Sequence, residues 1–381
     1  MGENMPKNMQ VEILTCEKFK DKYIVTVKEN PFYIDGKGGQ LGDRGTISGI
    51  EILENTEKGI LVSNPVELGI QDYNIYENRK IYIKENHTAQ HLFSAVAYND
   101  FGLNTVAFRM GVDYTTVDID SQEISLEIME AIEKKVNDTI QRAIPLDIYT
   151  LTHDEAMKKE GLRRQIKEKV TGDVRFIEIP GVDISACAGY HVENTKDIRL
   201  FKILYWEKIK GECTRFYFIA GYKAFEDYKF KHQIIRDLCH RFSSKENEII
   251  EMVGKVFQDR KNLEGQLKNV SIKYAELLSQ ELIKNPIIFG QNQIIFYDED
   301  QNISSFLSRN IDLDKYLLIT EGDGASYTVM SNIFNCKELL KFILSRHSSL
   351  KGGGSETKGN FKGEIKKEEL LDTIKLYFEN L

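Results

Sequence analysis

The sequence predicts an α+β fold built from consecutive modules, and three observations carry that expectation. Short alternating apolar runs, the signature of half-buried strands, recur through residues 11–63. A central stretch switches repeatedly between strand alternation and helical periodicity. From Ile249 to Leu277, apolar side chains recur in steps of four and three, the pattern of a long helix with a coiled-coil seam.

Bulk properties narrow the class. With 381 residues the chain has room for two or three domains. A hydrophobic fraction of 41% with 18 Tyr and 20 Phe suits globular cores rather than disorder. The longest apolar runs are strand-sized, so no transmembrane helix is expected. The opening MGENMPKNMQ lacks a signal-peptide core, and Gly2 has no second anchor beside it. A cytoplasmic protein is the expectation. Five scattered cysteines are no disulfide framework. The net charge of −8 argues against a nucleic-acid partner, yet Lys158–Arg175 carries seven basic residues against three acidic ones. Cys336–Lys367 carries eight against three. Such patches, rather than whole-chain charge, meet phosphates, although solvated helix faces explain the pattern equally well.

Taken in order, residues 1–83 read as a β-rich module. Strand patterns flank Pro31-Phe-Tyr-Ile-Asp-Gly36-Lys-Gly38-Gly39-Gln40-Leu-Gly42-Asp43-Arg-Gly45, where five glycines in ten residues imply tight turns or close backbone approach. No Walker or dinucleotide signature fits that run. Residues 84–224 form the second module. Asn86 is placed to cap a helix carrying His87 and His91, and Val106–Ile119 reads as a strand. Ile124–Ala143 is helical up to Pro145, and a polar helix is expected over 153–169. Strand patterns return before Ile184 and over 199–222. Residues 225–285 read as a helical linker, with Ser243 and Glu246 as a capping box before the seam, which Arg260 interrupts. Residues 286–381 read as a small α/β domain.

Two motifs carry chemistry. His87-Thr-Ala-Gln-His91 sets two imidazoles one helical turn apart on one face. Cys187-Ala-Gly-Tyr-His191 lies in a loop after a strand. Together His87, His91, Cys187 and His191 supply the three imidazoles and one thiolate of a tetrahedral Zn2+ site, although neither spacing is that of a zinc finger. The remaining histidines have no partner at ligand spacing. Near the C-terminus, Gly352, Gly353, Gly354, Lys358 and Lys362 form a glycine–lysine run suited to an RNA backbone or, more plainly, to a flexible loop.

These pieces resemble a family. His-Thr-Ala-Gln-His-Leu followed by Cys-Ala-Gly-Tyr-His-Val resembles the editing domain of alanyl-tRNA synthetases and its freestanding relatives, the alanyl-tRNA editing proteins of the AlaX group. The Gly-Gly-Gln-Leu-Gly-Asp-Arg-Gly run is similar to the glycine-rich stretch before that domain. Residues 195–198 and Phe201-Lys-Ile resemble the run after its second motif. The run from Gly352 to Gly363 looks like the DHH-associated C-terminal domain of long-form members. Two departures stand out: Ala188-Gly189-Tyr190 replaces the common Gly-Gly-Thr, and the second glycine cluster is thinned to Gly359 and Gly363.

The resemblance implies a long-form trans-editing hydrolase that removes serine or glycine from mischarged alanine tRNA by zinc-dependent ester hydrolysis. It implies an editing domain over 84–224, a tRNA-binding domain over 286–381, and tRNA contact through Gly352, Gly353, Gly354, Lys358 and Lys362. It places the glycine-rich strand beside the metal, making Gly38 and Gly39 substrate-binding and Gln40 the catalytic candidate. Thr46 and Tyr190 are the hydroxyls expected to meet serine. Asp43 and Glu193 lie close to these residues in sequence, but neither is identified as a general base. With four protein ligands, one ligand is expected to be weak or the coordination to expand. The seam makes a homodimer through the linker or C-terminal domain the expected assembly. Rival readings are an editor of another mischarged tRNA, such as a threonyl type, and a non-enzymatic zinc-stabilised RNA-binding protein.

Overall fold

A computed structural model describes residues 9–166, 170–322 and 325–380. Expectations about residues 1–8, including Gly2, and about 167–169 fall outside the described residues. The protein is mixed α+β. It divides into two units, Met1–Asp237 and Leu238–Leu381.

The first unit opens with β1 (Met9–Phe19), β2 (Lys22–Val27), β3 (Gly45–Ile47), β4 (Ile50–Thr56), β5 (Gly59–Val62) and β6 (Gly69–Ile75). They close into a barrel in the order β1-β2-β5-β4-β3-β6. Inward residues at every second position, among them Val11, Ile13, Val25, Ile52 and Ile60, fill its centre. The glycine-rich loop between β2 and β3 is organised around Asp35. Its Oδ1 accepts Gly42 N at 2.9 Å, and its Oδ2 accepts Asn55 N at 2.9 Å and Arg44 Nη1 at 2.8 Å. Burial works against the Asp35 carboxylate, but Arg44 and these amides hold its pKa below the usual range.

Next come α1 (Glu77–Phe101), β7 (Thr105–Met110), β8 (Thr115–Ile119), α2 (Leu126–Gln141), β9 (Asp147–Leu151), α3 (His153–Met157), β10 (Val174–Ile179), β11 (Asp183–Ala186), β12 (Phe201–Ile209), β13 (Cys213–Ala220) and α4 (Tyr222–Phe242). One sheet runs β12-β13-β8-β7 and a second runs β11-β10-β9. Leu92, Phe93 and Val96 of α1 meet Ile132 and Val136 of α2 and Phe216 and Phe218 of β13 in the main core.

Several local expectations change. The histidine helix begins at Glu77, so Asn86 is internal rather than a cap. Its Oδ1 instead accepts Ala220 N at 3.1 Å and its Nδ2 donates to Tyr82 O at 2.9 Å, tying α1 to β13. Val106–Ile119 is a hairpin of β7 and β8 rather than one strand. The polar helix ends at Met157, after which Gly161 adopts φ +76°.

The second unit contains α5 (Ile249–Leu282), β14 (Ile287–Phe289), β15 (Asn292–Tyr297), α6 (Gln301–Leu307), β16 (Tyr316–Gly322), β17 (Ser326–Met330), α7 (Cys336–Arg346), β18 (Lys351–Gly354), β19 (Lys358–Lys362) and α8 (Lys367–Glu379). Its sheet runs β14-β15-β16-β17-β19-β18. Both faces are covered: Ile294 and Ile319 pack with Leu340 and Ile374, while Ile295 and Leu318 pack with Ala275 and Leu307. The glycine–lysine run is a hairpin rather than a loop, with Gly353 opposite Asn360. Gly359 lies against Leu340, where a Cβ would come within 2.6 Å of Cδ1, so that glycine has a packing role of its own. Ser243 adopts φ +49° and caps nothing; Glu248 Oε2 instead accepts Lys245 N at 3.2 Å.

The seam lies along α5 as expected, but most of it faces solvent. Val256, Leu263, Leu267, Val270, Tyr274 and Leu277 are all exposed, while Ser271, Ala275 and Ser279 on another face are buried. Arg260, the polar break, pairs with Glu264 one turn on at 2.8 Å.

Candidate metal centre and cavity

His87 and His91 sit in the middle of α1, where the i, i+4 spacing stacks them on one face. Cys187 and His191 arrive from the loop after β11. Arg175 on β10 shapes that loop by donating from Nη1 to Cys187 O and to Gly189 O, both at 2.8 Å. The four ligand atoms all lie within 4.8 Å of one another. Cys187 Sγ is 3.5 Å from His87 Nε2 and 3.3 Å from His191 Nε2. A tetrahedral zinc ion with ordinary bond lengths requires sulfur–nitrogen separations of about 3.6 Å. The cluster therefore fits a zinc-sized ion with little rearrangement.

Each ring is oriented through its other nitrogen. His87 Nδ1 lies 2.8 Å from Gln40 Oε1, and His91 Nδ1 lies 3.1 Å from Asp183 Oδ2. His191 Nδ1 lies 3.1 Å from Thr88 Oγ1, whose own proton goes to Lys84 O. All three partners can accept, so with a metal bound each Nδ1 would carry the hydrogen and each Nε2 would turn a lone pair toward the centre. Arg163 donates from Nε to Asp183 Oδ1 at 2.8 Å and fixes the carboxylate in turn.

Electrostatics prepare the same ligand forms. Burial alone would raise the Cys187 thiol, but hydrogen bonds from His191, His87 and His91 hold it down to about 2. Burial lowers His191 to about 3 and lowers His87 as well. Burial also opposes a charge on His91, yet Asp183 and Cys187 raise it to about 9. At neutral pH the site therefore presents a thiolate and two neutral imidazoles, and His91 has a proton to release to a metal.

A cavity of about 570 Å³ opens against this centre, with His87, His91 and Cys187 in its wall. Gly38 and Gly39 of the glycine-rich loop line it, as do Thr105–Phe108 of β7. Gly39 has φ +78°, and a Cβ there would approach Phe108 Cδ1 to 2.6 Å, so glycine lets the loop rest on β7. Phe108 stacks on the His87 ring at 5.3 Å. Lys37, Arg163 and Arg164 add positive charge to the lining.

The other expected residues lie elsewhere. Gln40 is 1% exposed and outside the cavity lining, its oxygen bonded to His87 and to Tyr190 N at 2.8 Å. Its Nε2 has no hydrogen-bond partner among the described residues. Thr46 is paired into the barrel opposite Glu51 and Asn74. Tyr190 donates its hydroxyl to Asp43 Oδ2 at 3.0 Å, and Lys80 sits over its ring. Glu193 is exposed, and no carboxylate lines the cavity among the described residues. Lys358 and Lys362 point outward on β19 in the second unit, with Lys351 opposite Lys362. Sequence reasoning missed Thr88, Gln90, Asp183 and Arg163. Thr88 and Gln90 stand inside the first motif and Asp183 four residues before Cys187, the only signal available.

Residues 174–217, which include the second ligand motif, match the family described as threonyl and alanyl tRNA synthetase second additional domain. An alanyl-tRNA editing protein of Pyrococcus horikoshii, AlaX-L, is 25% identical across 96% of this chain and 94% of its own length. The chain resembles the alanyl-tRNA editing proteins along nearly all its length. The mouse editing protein Aarsd1 is 27% identical over 90% of this chain and 84% of itself. The alanine–tRNA ligase of Trichodesmium erythraeum is 27% identical over 71% of this chain but only 32% of the ligase. The similarity to the editing proteins spans the barrel, the metal cluster and much of the second unit, not the cluster alone. Among the described residues no helix is long and apolar enough to cross a membrane.

Proposed function

We propose that this chain is a cytoplasmic, ATP-independent aminoacyl-tRNA deacylase that acts in trans on alanine tRNA carrying serine, glycine or both. One observation carries the reading: the three-histidine, one-cysteine cluster forms part of a cavity wall. A purely structural zinc site is normally closed off, whereas this one meets a space of ligand size with basic groups around it.

The ester is already activated, so the site has to hold it, stabilise developing charge and admit the right side chain. Zinc bound by His87, His91, Cys187 and His191 supplies Lewis-acid stabilisation of negative charge on oxygen. Gln40, Thr88 and Asp183 keep the three imidazoles in register, which makes Gln40 a positioning residue rather than a group that touches substrate. Gly38, Gly39 and Phe108 line the cavity that takes the terminal nucleoside. Lys37 and Arg164 meet phosphates of the acceptor end, and the β18–β19 hairpin, with Gly352, Gly353, Gly354, Lys358 and Lys362, binds tRNA backbone.

The test is deacylation of alanine tRNA charged with serine, glycine or alanine, and of threonine-charged tRNA, with metal content measured on the same samples. Loss of serine or glycine with alanine spared supports the reading. Release of threonine alone moves the substrate, and tRNA binding without any release removes the enzyme.

The exposed seam supports a homodimer through α5, since each large apolar residue removed from water contributes about 1.5–3 kcal/mol. Leu267→Glu is expected to convert a dimer to a monomer in sedimentation equilibrium at micromolar protein. A wild-type mass that stays at one protomer throughout the concentration range would end this proposal.

A further inference from the structure

Resting on the deacylase reading, we propose that Gln90 is the residue that recognises the serine hydroxyl. Gln90 lies three residues after His87 on the same face of α1 and lines the cavity beside His91. It is only 6% exposed. Its Nε2 donates to Ser94 Oγ at 2.7 Å, and Ser94 Oγ also receives Thr105 Oγ1 from β7 at 2.6 Å. With the amide nitrogen fixed in that way, Oε1 is the acceptor left to the cavity, and no described residue donates to it. Neither hydroxyl expected from the sequence has this placement, because neither Thr46 nor Tyr190 lines the cavity and the Tyr190 hydroxyl is bonded to Asp43.

The arrangement selects by hydrogen-bond satisfaction. A seryl side chain beside Gln90 donates its hydroxyl to Oε1. An alanyl methyl in that position shields Oε1 from water and offers it nothing, which is costly for a buried acceptor. A glycyl group leaves space for water to satisfy the oxygen. Gln90 therefore favours serine and penalises alanine, while glycine falls between them.

The experiment compares Gln90→Met, of similar length but without polar atoms, with wild type. The readouts are kcat/KM on serine-, glycine- and alanine-charged alanine tRNA, and calorimetric binding of non-hydrolysable seryl and glycyl adenosine amides. The serine-to-glycine ratio is expected to fall about 10–100-fold, and the seryl preference in binding to fall with it. Zinc content should remain one per chain. Ser94→Ala, which frees the amide without removing it, should lower the same ratio by a smaller factor. An unchanged ratio in a zinc-loaded, folded Gln90→Met protein overturns the assignment, as does unchanged selectivity in Ser94→Ala with binding also unaltered. Failure of the deacylase reading shows separately, as wild-type protein releasing no amino acid. In that event the seryl-over-glycyl binding preference, and its loss in Gln90→Met, still decide the role of Gln90.

Discussion

Cys187→Ala is expected to leave a protein that binds less than stoichiometric zinc and deacylates its substrate on the order of 10³-fold more slowly. The size follows from what the thiolate does. It is the one anionic ligand, it lies 3.5 Å and 3.3 Å from two imidazole nitrogens, and hydrogen bonds from all three imidazoles hold its thiol down to about 2. Alanine removes that charge and leaves three buried nitrogens without their common partner. Metal content by mass spectrometry and single-turnover deacylation check both halves. Cys213→Ala, at a half-buried strand position outside the cavity, serves as the control and should change neither. If the variant loses zinc yet deacylates within tenfold of wild type, the metal is structural and the chemistry belongs to other residues. If tRNA binding persists while deacylation disappears, the separation of binding from chemistry follows as proposed.

What the sequence could disclose follows from how local each feature is. The four residues of the candidate metal cluster were legible because each pair lies within one motif. The α+β class was legible because strand alternation and helical periodicity leave different marks. The partners of the ligands were not. Gln40 lies 47 residues from His87, Asp183 lies 92 from His91, and Thr88 lies 103 from His191, so only the folded chain brings them together. Asn86 misled for a similar reason: it has the chemistry of a helix cap, but β13 supplies a buried backbone N–H that uses the same oxygen. Thr46 and Tyr190 carry hydroxyls near the glycine-rich loop and the second motif, yet Thr46 lies on a barrel strand outside the cavity lining and Asp43 accepts the Tyr190 hydroxyl. The seam was legible as periodicity, but which face of α5 the second unit buries depends on α6, and no heptad count reveals that.

Gly189→Ala is expected to damage the site nearly as much, through a single methyl group. A Cβ at Gly189 falls inside contact distance of His87 Cε1 and Nδ1 and reaches 2.6 Å from Gln40 Oε1. None of these is the loose end of a flexible side chain. The imidazole is wedged between Phe108 and the ligand cluster, and Gln40 is fixed by Tyr190 N. The ring or the loop must therefore move, and moving the loop carries Cys187 and His191 with it. Interference with groups that orient a metal ligand typically lowers affinity about 10–100-fold, and displacing a site by ~1 Å lowers rate by about 10²-fold. Zinc affinity measured against a competing chelator should fall within the first range, and kcat/KM should fall by the second factor or more. Gly265→Ala provides the contrast, because nothing lies within 4 Å of its Cβ position on the exposed face of α5. There the substitution should add about 0.5–1 kcal/mol of helix stability and leave zinc untouched. Should Gly189→Ala bind zinc with wild-type affinity and turn over within twofold, the loop has slack, and the contact between Gly189 and the His87–Gln40 pair does not define the site.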